Sequence, residues 1–154
     1  MTQGSTISMF CLLSIFLLAL PSCEQRRRPV RYLIPESYAG WVEIDFGTVA
    51  APALPIEDGF YVVKFPPSGR LYTSSDIEVG WAKDHYYYYT DSNLHEIPET
   101  SWGGGGLIWG GTVGSQQDDK GQTCCVTEAL FVGTEEQFKR HSSPDDHRKP
   151  GRIE

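Results

Sequence analysis

The 154-residue sequence lacks the features that most transmembrane and nucleic-acid-binding proteins require. Its longest uncharged apolar run, residues 7–20, is too short for a transmembrane helix, which takes about 20 residues. Bases are scarce in the middle of the chain, where residues 35–138 have four bases against sixteen acids and a net charge of −12. A segment this acidic repels phosphate backbones, so we expect no nucleic-acid partner.

Motifs of catalysis and cofactor binding are also missing. The sequence has no Gly-x-Ser-x-Gly hydrolase elbow, and the glycine-rich stretch at 102–111 lacks the Lys-Ser/Thr ending of a phosphate-binding loop. Its four histidines match no zinc-site spacing. We therefore predict no metal and no cofactor, and a protein that is not an enzyme. A metal-dependent hydrolase is kept as an alternative because one short segment clusters five candidate ligands: Asp84, His85, Asp91, His95 and Glu96.

A cysteine follows the apolar run, and its fate decides where the protein is expected to work. Residues 7–20 fit the hydrophobic region of a secretory signal. Leu20-Pro21-Ser22-Cys23 resembles the bacterial lipobox, in which diacylglycerol is attached to the cysteine thiol before cleavage. We predict a lipoprotein-type signal peptide over residues 1–22 and a mature chain that begins at lipidated Cys23. The bases follow the apolar run instead of preceding it, so a soluble signal cleaved nearby and a short uncleaved anchor stay as alternatives.

Lipidation predicts an exported protein held in the cell envelope. Two acyl chains hold a protein on a membrane where one would not. Arg26, Arg27 and Arg28 would then lie against anionic headgroups, each contributing about 1 kcal/mol. The predicted location is the outer membrane or the periplasmic face, with the membrane contacted through the lipid on Cys23.

The mature sequence has the pattern of a β-protein. Residues 23–30 predict a short tether, and residues 31–141 alternate strand-like runs with turns rich in glycine and proline. The run GWVEIDFG at 40–47 alternates as a half-buried strand does, with Trp41 and Asp45 on the polar face. Seven or eight such strands favour an all-β fold, a β-sandwich of immunoglobulin-like or transthyretin-like type, over a small barrel.

The carboxyl-terminal part differs from the strands before it. Thr134 and Gln137 have the spacing of a capping box, which predicts one short helix. Residues 142–154 contain two prolines and few apolar groups and predict a disordered tail.

Aromatic residues supply the candidates for binding. In a strand over DHYYYYT at 84–90, Tyr87 and Tyr89 share one face with His85. Exposed tyrosines, with one or more of Trp41, Trp81, Trp102 and Trp109, would form a platform for a protein, peptide or glycan partner. The alternative is that these rings only stabilise the sheet through cross-strand pairs. The candidate binding residues are Trp41, Asp45, Tyr87 and Tyr89.

Cys124 and Cys125 are adjacent, and in a strand their side chains point to opposite faces. Bridging them requires a strained backbone because disulfide geometry is specific. They are candidates for a vicinal disulfide, a redox pair, an intermolecular bridge or free thiols, and the alternative is a pair of small strand residues, one of them buried.

Four stretches together resemble a known family. They are YLIPESYAGWVEIDFG at 32–47, the segment at 54–89 that contains FPPSGRLYTSS, IWGGTVG at 108–114 and FVGTEEQF at 131–138. The likeness is to an uncharacterised domain family of bacterial secreted proteins and lipoproteins and covers residues 31–140. The resemblance implies an exported bacterial protein, and it gives no indication of an activity, a ligand or a catalytic residue.

The sequence therefore favours a lipid-anchored envelope protein that binds a protein or glycan partner without catalysing a reaction. A periplasmic inhibitor or immunity protein is the second hypothesis, because an acidic domain can mask a basic partner.

Overall fold

The described chain forms two five-stranded sheets and one short helix. The structure, a computed structural model, describes residues 25–117, 120–121 and 123–141. Its strands are β1 (Val30–Pro35), β2 (Gly40–Phe46), β3 (Ile56–Glu57), β4 (Phe60–Lys64), β5 (Arg70–Tyr72), β6 (His85–Tyr89), β7 (Leu94–Glu96), β8 (Gly104–Gly105), β9 (Ile108–Gln117) and β10 (Thr123–Val132), and its helix is α1 (Glu135–Arg140). The predicted all-β sandwich with one short C-terminal helix is confirmed.

Both sheets are mixed. The strand order is β3-β4-β1-β6-β7 in the first sheet and β5-β2-β10-β9-β8 in the second. β1 runs parallel to β4 and β6, and β2 runs parallel to β5. Parallel neighbours cannot be joined by a tight turn, so from β1 to β6 the chain passes repeatedly between the sheets.

The core lies between the sheets and comes from alternate positions of the central strands. Tyr32 of β1 and Tyr86 of β6 are each 1% exposed, and their rings stack with centroids 4.7 Å apart. The other fully buried side chains of this cluster are Ile34, Ile44, Phe65, Val63, Val42, Ile97, Ile108, Leu130 and Val132. Burying one such aliphatic or aromatic side chain contributes about 1.5–3 kcal/mol.

The outer face of β2 is also buried, which corrects the half-buried strand expected from the alternation. Trp41 packs with Phe131 and Ala129 in a second apolar cluster, and Phe138 of α1 covers them. Further along the strand, Asp45 is 4% exposed because Arg70 and other polar partners enclose it. The polar face of the strand is therefore a second packed layer and not a solvated surface.

Helix α1 begins at the predicted capping box. The Thr134 hydroxyl accepts the Gln137 backbone N–H at 3.2 Å, and the Gln137 side-chain oxygen accepts the Thr134 backbone N–H at 2.8 Å. These bonds satisfy amide groups that the first turn of a helix leaves without partners. The helix is thereby placed with Phe138 over the outer face of the second sheet.

Residues 25–30 belong to the folded domain, which corrects their prediction as a tether. Arg26 forms a parallel bridge with Trp81, and the Arg27 side chain binds the buried Asp84. A buried carboxylate needs a countercharge, and this requirement outweighs the shortage of apolar residues in the segment. No helix within the described residues is long and apolar enough to cross a membrane. The predictions for residues 1–22, Cys23 and residues 142–154 fall outside the described residues.

Candidate functional site

The described chain has an open cleft of about 820 Å³ that both sheets border. Two tryptophans line it with much of their surface free: Trp81 is 72% exposed and Trp102 is 43% exposed. Val79 and Val113 add exposed aliphatic surface to the same walls. We call these four residues the tryptophan rim. Apolar walls of this kind are typical of ligand sites, since they remove apolar ligand surface from water.

The wall that carries Trp81 is held by the first described residues. The Trp81 backbone N–H donates to the Gln25 carbonyl at 2.8 Å, and the Arg27 backbone N–H donates to the Trp81 carbonyl at 3.2 Å. Gly80 has a φ of +135°, and a Cβ atom there would lie 2.4 Å from the Gln25 carbonyl oxygen. Only glycine allows the two segments to approach this closely, so Gly80 fixes the direction of the neighbouring tryptophan.

A buried ion pair lies at the base of the cleft. Arg27 Nη1 donates to Asp84 Oδ1 at 2.8 Å, and Arg27 Nη2 donates to Asp84 Oδ2 at 2.5 Å. The Val30 backbone N–H donates to the same carboxylate at 2.9 Å. Asp84 is 6% exposed, and its side-chain hydrogen bond raises the pKa of Arg27. This bidentate geometry holds both charges in place and joins the first described residues to the start of β6.

Glu128 of β10 supplies a second buried carboxyl group beside this pair. It is 8% exposed, and its Oε1 accepts the Tyr32 hydroxyl at 2.6 Å. Loss of solvation raises the pKa of Glu128, and the nearby Asp84 charge acts in the same direction. The environment thus favours a neutral carboxyl group, which can donate as well as accept a hydrogen bond.

Tyr86 lines the cleft, and its hydroxyl is a buried polar atom that the described chain does not use. Its hydroxyl is buried and has no hydrogen-bond partner among the described residues. Burial raises the pKa of the Tyr86 phenol well above its ordinary value, so it stays protonated. Leaving a buried hydroxyl unpaired costs about 1–3 kcal/mol, and a ligand group that bonded to it would recover this free energy.

The four predicted binding residues do not form one surface. Tyr87 and Tyr89 are half-buried on the outer face of the first sheet, where Tyr87 stacks on His85 and the Tyr89 hydroxyl donates to the Phe65 carbonyl at 2.9 Å. Trp41 and Asp45 lie on the outer face of the second sheet. Asp45 accepts Arg70 at 2.7 Å and the Thr127 hydroxyl at 2.6 Å.

Trp41 borders a smaller hollow of about 360 Å³. Its indole Nε1 is buried and has no hydrogen-bond partner among the described residues. Trp41 is only 8% exposed, so it offers little surface for stacking. The hollow has more polar walls than the cleft and no exposed tryptophan, so the cleft is the stronger candidate.

The segment at 84–96 does not assemble a metal site. Asp84 is engaged by Arg27, and His85 lies on the outer face of the first sheet against Phe60. His95 of β7 pairs with Tyr88, whose side chain is on the inner face of the first sheet, opposite to the face that carries His85. Among the described residues, no three His, Cys, Asp or Glu side chains are placed to hold a metal ion.

The two adjacent cysteines lie at the start of β10. Cys125 is half-buried opposite Gln116, and the register shifts between Thr123 and Cys125, so Cys124 occupies the irregular position. The Cys124 side chain is outside the described part of the structure. A redox role for the pair stays a prediction.

The sequence suggested Trp81 and Trp102 as members of an aromatic platform. It did not show that they share a cleft with the polar residues at its base, which we call the floor. The floor residues Arg27, Asp84 and Glu128 are separated by up to 101 positions and meet only because the chain passes between the sheets. One local signal was available in the sequence. The dipeptide Gly80-Trp81 lies in a polar segment with no strand pattern, which is unusual for a core tryptophan and so indicates an exposed one.

Comparison with known proteins places the chain in a family. Residues 26–141 match the model of the Family of unknown function (DUF6843). The chain belongs to this family. The resemblance noted in the sequence is thereby confirmed, and the matched region begins within the arginine segment that the structure joins to the domain.

A solved structure has the same fold as this DUF6843 protein. The 2.75 Å crystal structure described as "Putative Lipoprotein from Bacillus anthracis" aligns with a TM-score of 0.62 and 22% sequence identity. The alignment covers 79% of this chain and 88% of the other. No curated protein shows significant similarity to the sequence.

Proposed function

We propose that this DUF6843 protein is a lipid-anchored envelope protein that binds an amphipathic ligand in the cleft behind the tryptophan rim and catalyses no reaction. The observation that carries the proposal is the pairing of exposed Trp81 and Trp102 with the unpaired, buried hydroxyl of Tyr86 in one cavity. An apolar body stacks between the indoles while one polar group bonds to the tyrosine.

The polar groups of the floor support binding over catalysis. Both Asp84 oxygens are engaged by Arg27, and Glu128 accepts the Tyr32 hydroxyl. A carboxylate held by a bidentate guanidinium is a poor proton acceptor, because abstracting a proton would break the pair. These groups shape and rigidify the floor.

The lipid anchor is supported by the sequence around Cys23 and by the likeness in fold to a protein described as a putative lipoprotein. Mass spectrometry of the mature chain tests it directly. We expect the chain to begin at Cys23 with diacylglycerol on the thiol. An unmodified chain that begins at any other residue would refute the anchor.

The cleft is tested by titrating the protein with a short-chain phospholipid below its micelle concentration, using tryptophan fluorescence and calorimetry. Trp81→Ala and Trp102→Ala should each weaken binding about tenfold or more, as expected of a tryptophan at the centre of a contact. The matched control is Tyr87→Ala with Tyr89→Ala, which alters the outer face of the first sheet and should leave affinity unchanged.

The control also decides between the surfaces. If the tyrosine variant loses binding and the tryptophan variants retain it, the outer aromatic face is the site and the cleft is not. Salt-sensitive capture of a basic protein, unaffected by either set of variants, would favour the inhibitor or immunity hypothesis instead.

A further inference from the structure

The described chain begins beside the cleft, two residues after the proposed anchor. Gln25 is hydrogen-bonded to the backbone of Trp81, and Arg26 bridges to the same residue. Two residues of chain span at most about 7 Å when extended, and this is the length of chain between the proposed anchor and Gln25. A lipid on Cys23 would therefore tether the chain close to the Trp81 backbone.

Acyl chains on Cys23 would fix how deeply the Gln25 end of the domain lies in the bilayer. The headgroup layer on each side of a bilayer is about 5–7 Å thick, which matches the reach from Cys23 to Gln25. With the acyl chains in the hydrocarbon, Gln25 and the Trp81 backbone bonded to it are held in or beside the headgroup layer. Tryptophan is enriched at this depth because its ring is apolar and its N–H remains able to bond to polar groups.

The rim concentrates the exposed apolar surface of the domain. The described chain has eight large hydrophobic side chains that are exposed, and four of them line this one cleft: Val79 at 67%, Trp81 at 72%, Trp102 at 43% and Val113 at 54%. Grouped apolar surface of this kind marks a contact with a membrane or another molecule.

The most exposed charges at the rim are mainly basic, although charged residues of both signs line the cleft. Arg26 and Lys83 are exposed bases, and Glu78 is an exposed acid. Arg27 is paired with Asp84, and burial raises the pKa of the two remaining acids, Glu99 and Glu128, towards their neutral forms. Each base near the surface raises the partition onto anionic lipid about fivefold. The strongly acidic remainder of the chain is repelled by the same surface, which favours an orientation with the rim towards the lipid.

We propose that the tryptophan rim is a second membrane contact, in which Trp81 and Trp102 insert into the headgroup layer of the bilayer that holds Cys23. The inference rests on the proposed lipid anchor. It adds an orientation: the cleft opens towards the bilayer, and its ligand enters from the lipid side.

The test uses the full mature acylated protein in vesicles of phosphatidylethanolamine and phosphatidylglycerol. Some of the acyl chains carry bromine, either near the headgroup or near the terminal methyl group, and tryptophan quenching is measured. We expect shallow bromine to quench strongly and deep bromine weakly. Most of the quenched emission should disappear in the Trp81→Phe and Trp102→Phe double variant. The matched control Trp109→Phe removes an indole beneath α1 and should leave the quenching unchanged.

The outcomes separate this inference from the proposed function. Acylated protein whose rim tryptophans are not quenched overturns membrane docking and leaves the anchor standing. Mass spectrometry that finds Cys23 unmodified removes the anchor, and docking is overturned with it. Phenylalanine keeps both positions apolar at exposed sites, so the variants are expected to fold, and circular dichroism checks that they do. The phospholipid titration is independent, since the rim can dock even if the cleft takes no ligand.

Discussion

Arg27→Ala should destabilise the domain far more than a change at its neighbour Arg26. Arg27 supplies two hydrogen bonds and the countercharge to Asp84, which is 6% exposed. Removing one partner of a buried pair costs about 3–5 kcal/mol because the remaining charge is left uncompensated. The Arg27 side chain keeps 15% of its surface in solvent, and Asp84 keeps the Val30 N–H, so we expect the lower limit, about 3 kcal/mol.

The assay is urea unfolding of the chain from residue 24, followed by circular dichroism and tryptophan fluorescence. With a slope of about 1.5 kcal/mol per molar urea, the loss corresponds to a midpoint lower by about 2 M. Arg26→Ala is the matched control. It removes an adjacent, exposed arginine, and should change the unfolding free energy by no more than about 0.5 kcal/mol.

A double variant identifies the cause of the loss. Arg27→Ala with Asp84→Ala leaves no unpaired charge, so it should be less destabilised than the sum of the two single variants. A stabilising role of this ion pair is refuted if Arg27→Ala is no less stable than Arg26→Ala, or if the two single losses simply add. In either case the first described residues would not be held to the domain by this ion pair.

Three other predictions concern single positions. Glu128 has a raised pKa in the folded state, so the folded protein binds the Glu128 proton more tightly than the unfolded chain does. The protein therefore loses stability as the pH rises from the ordinary glutamate range. Glu128→Gln should be more stable than the parent in urea unfolding at neutral pH, and this difference should vanish in acid. Tyr86→Phe should be at least as stable as the parent in thermal unfolding, because it removes an unpaired buried hydroxyl, and a clear loss would show that the hydroxyl has a partner. Gly110 has a φ of +64°, and a Cβ atom there would lie 2.7 Å from the Phe138 ring. Gly110→Ala should therefore lower the free energy of unfolding, measured by calorimetry, by about 3 kcal/mol. Gly114→Ala is the control, because a Cβ atom there meets open space, and it should change the stability little.

Much of the fold was predictable because its signals are local. Alternation of apolar residues located β2, the run of four tyrosines located β6 and the capping box located α1, since these patterns depend on neighbours within four positions. The parallel pairing of β1 with β4 and β6 was not predicted, because it depends on strands that lie far apart in the sequence. The burial of Trp41 and Asp45 was missed for the same reason: α1 and β5 cover a face that alternation alone presents as solvated.

The sequence alone determined the class of the fold, the capped helix, the acidic character of the domain and the resemblance of residues 31–140 to a known family. These depend on composition and short-range order. Only the tertiary structure decided which aromatic residues lie together and which charges are buried. It brought the exposed Trp81 and Trp102 to one cavity with Tyr86, and it placed Arg27 against Asp84, 57 positions away. The physical reason is that a cavity and a buried ion pair are made by strands from both sheets, and the chain order of the residues does not specify where those strands meet.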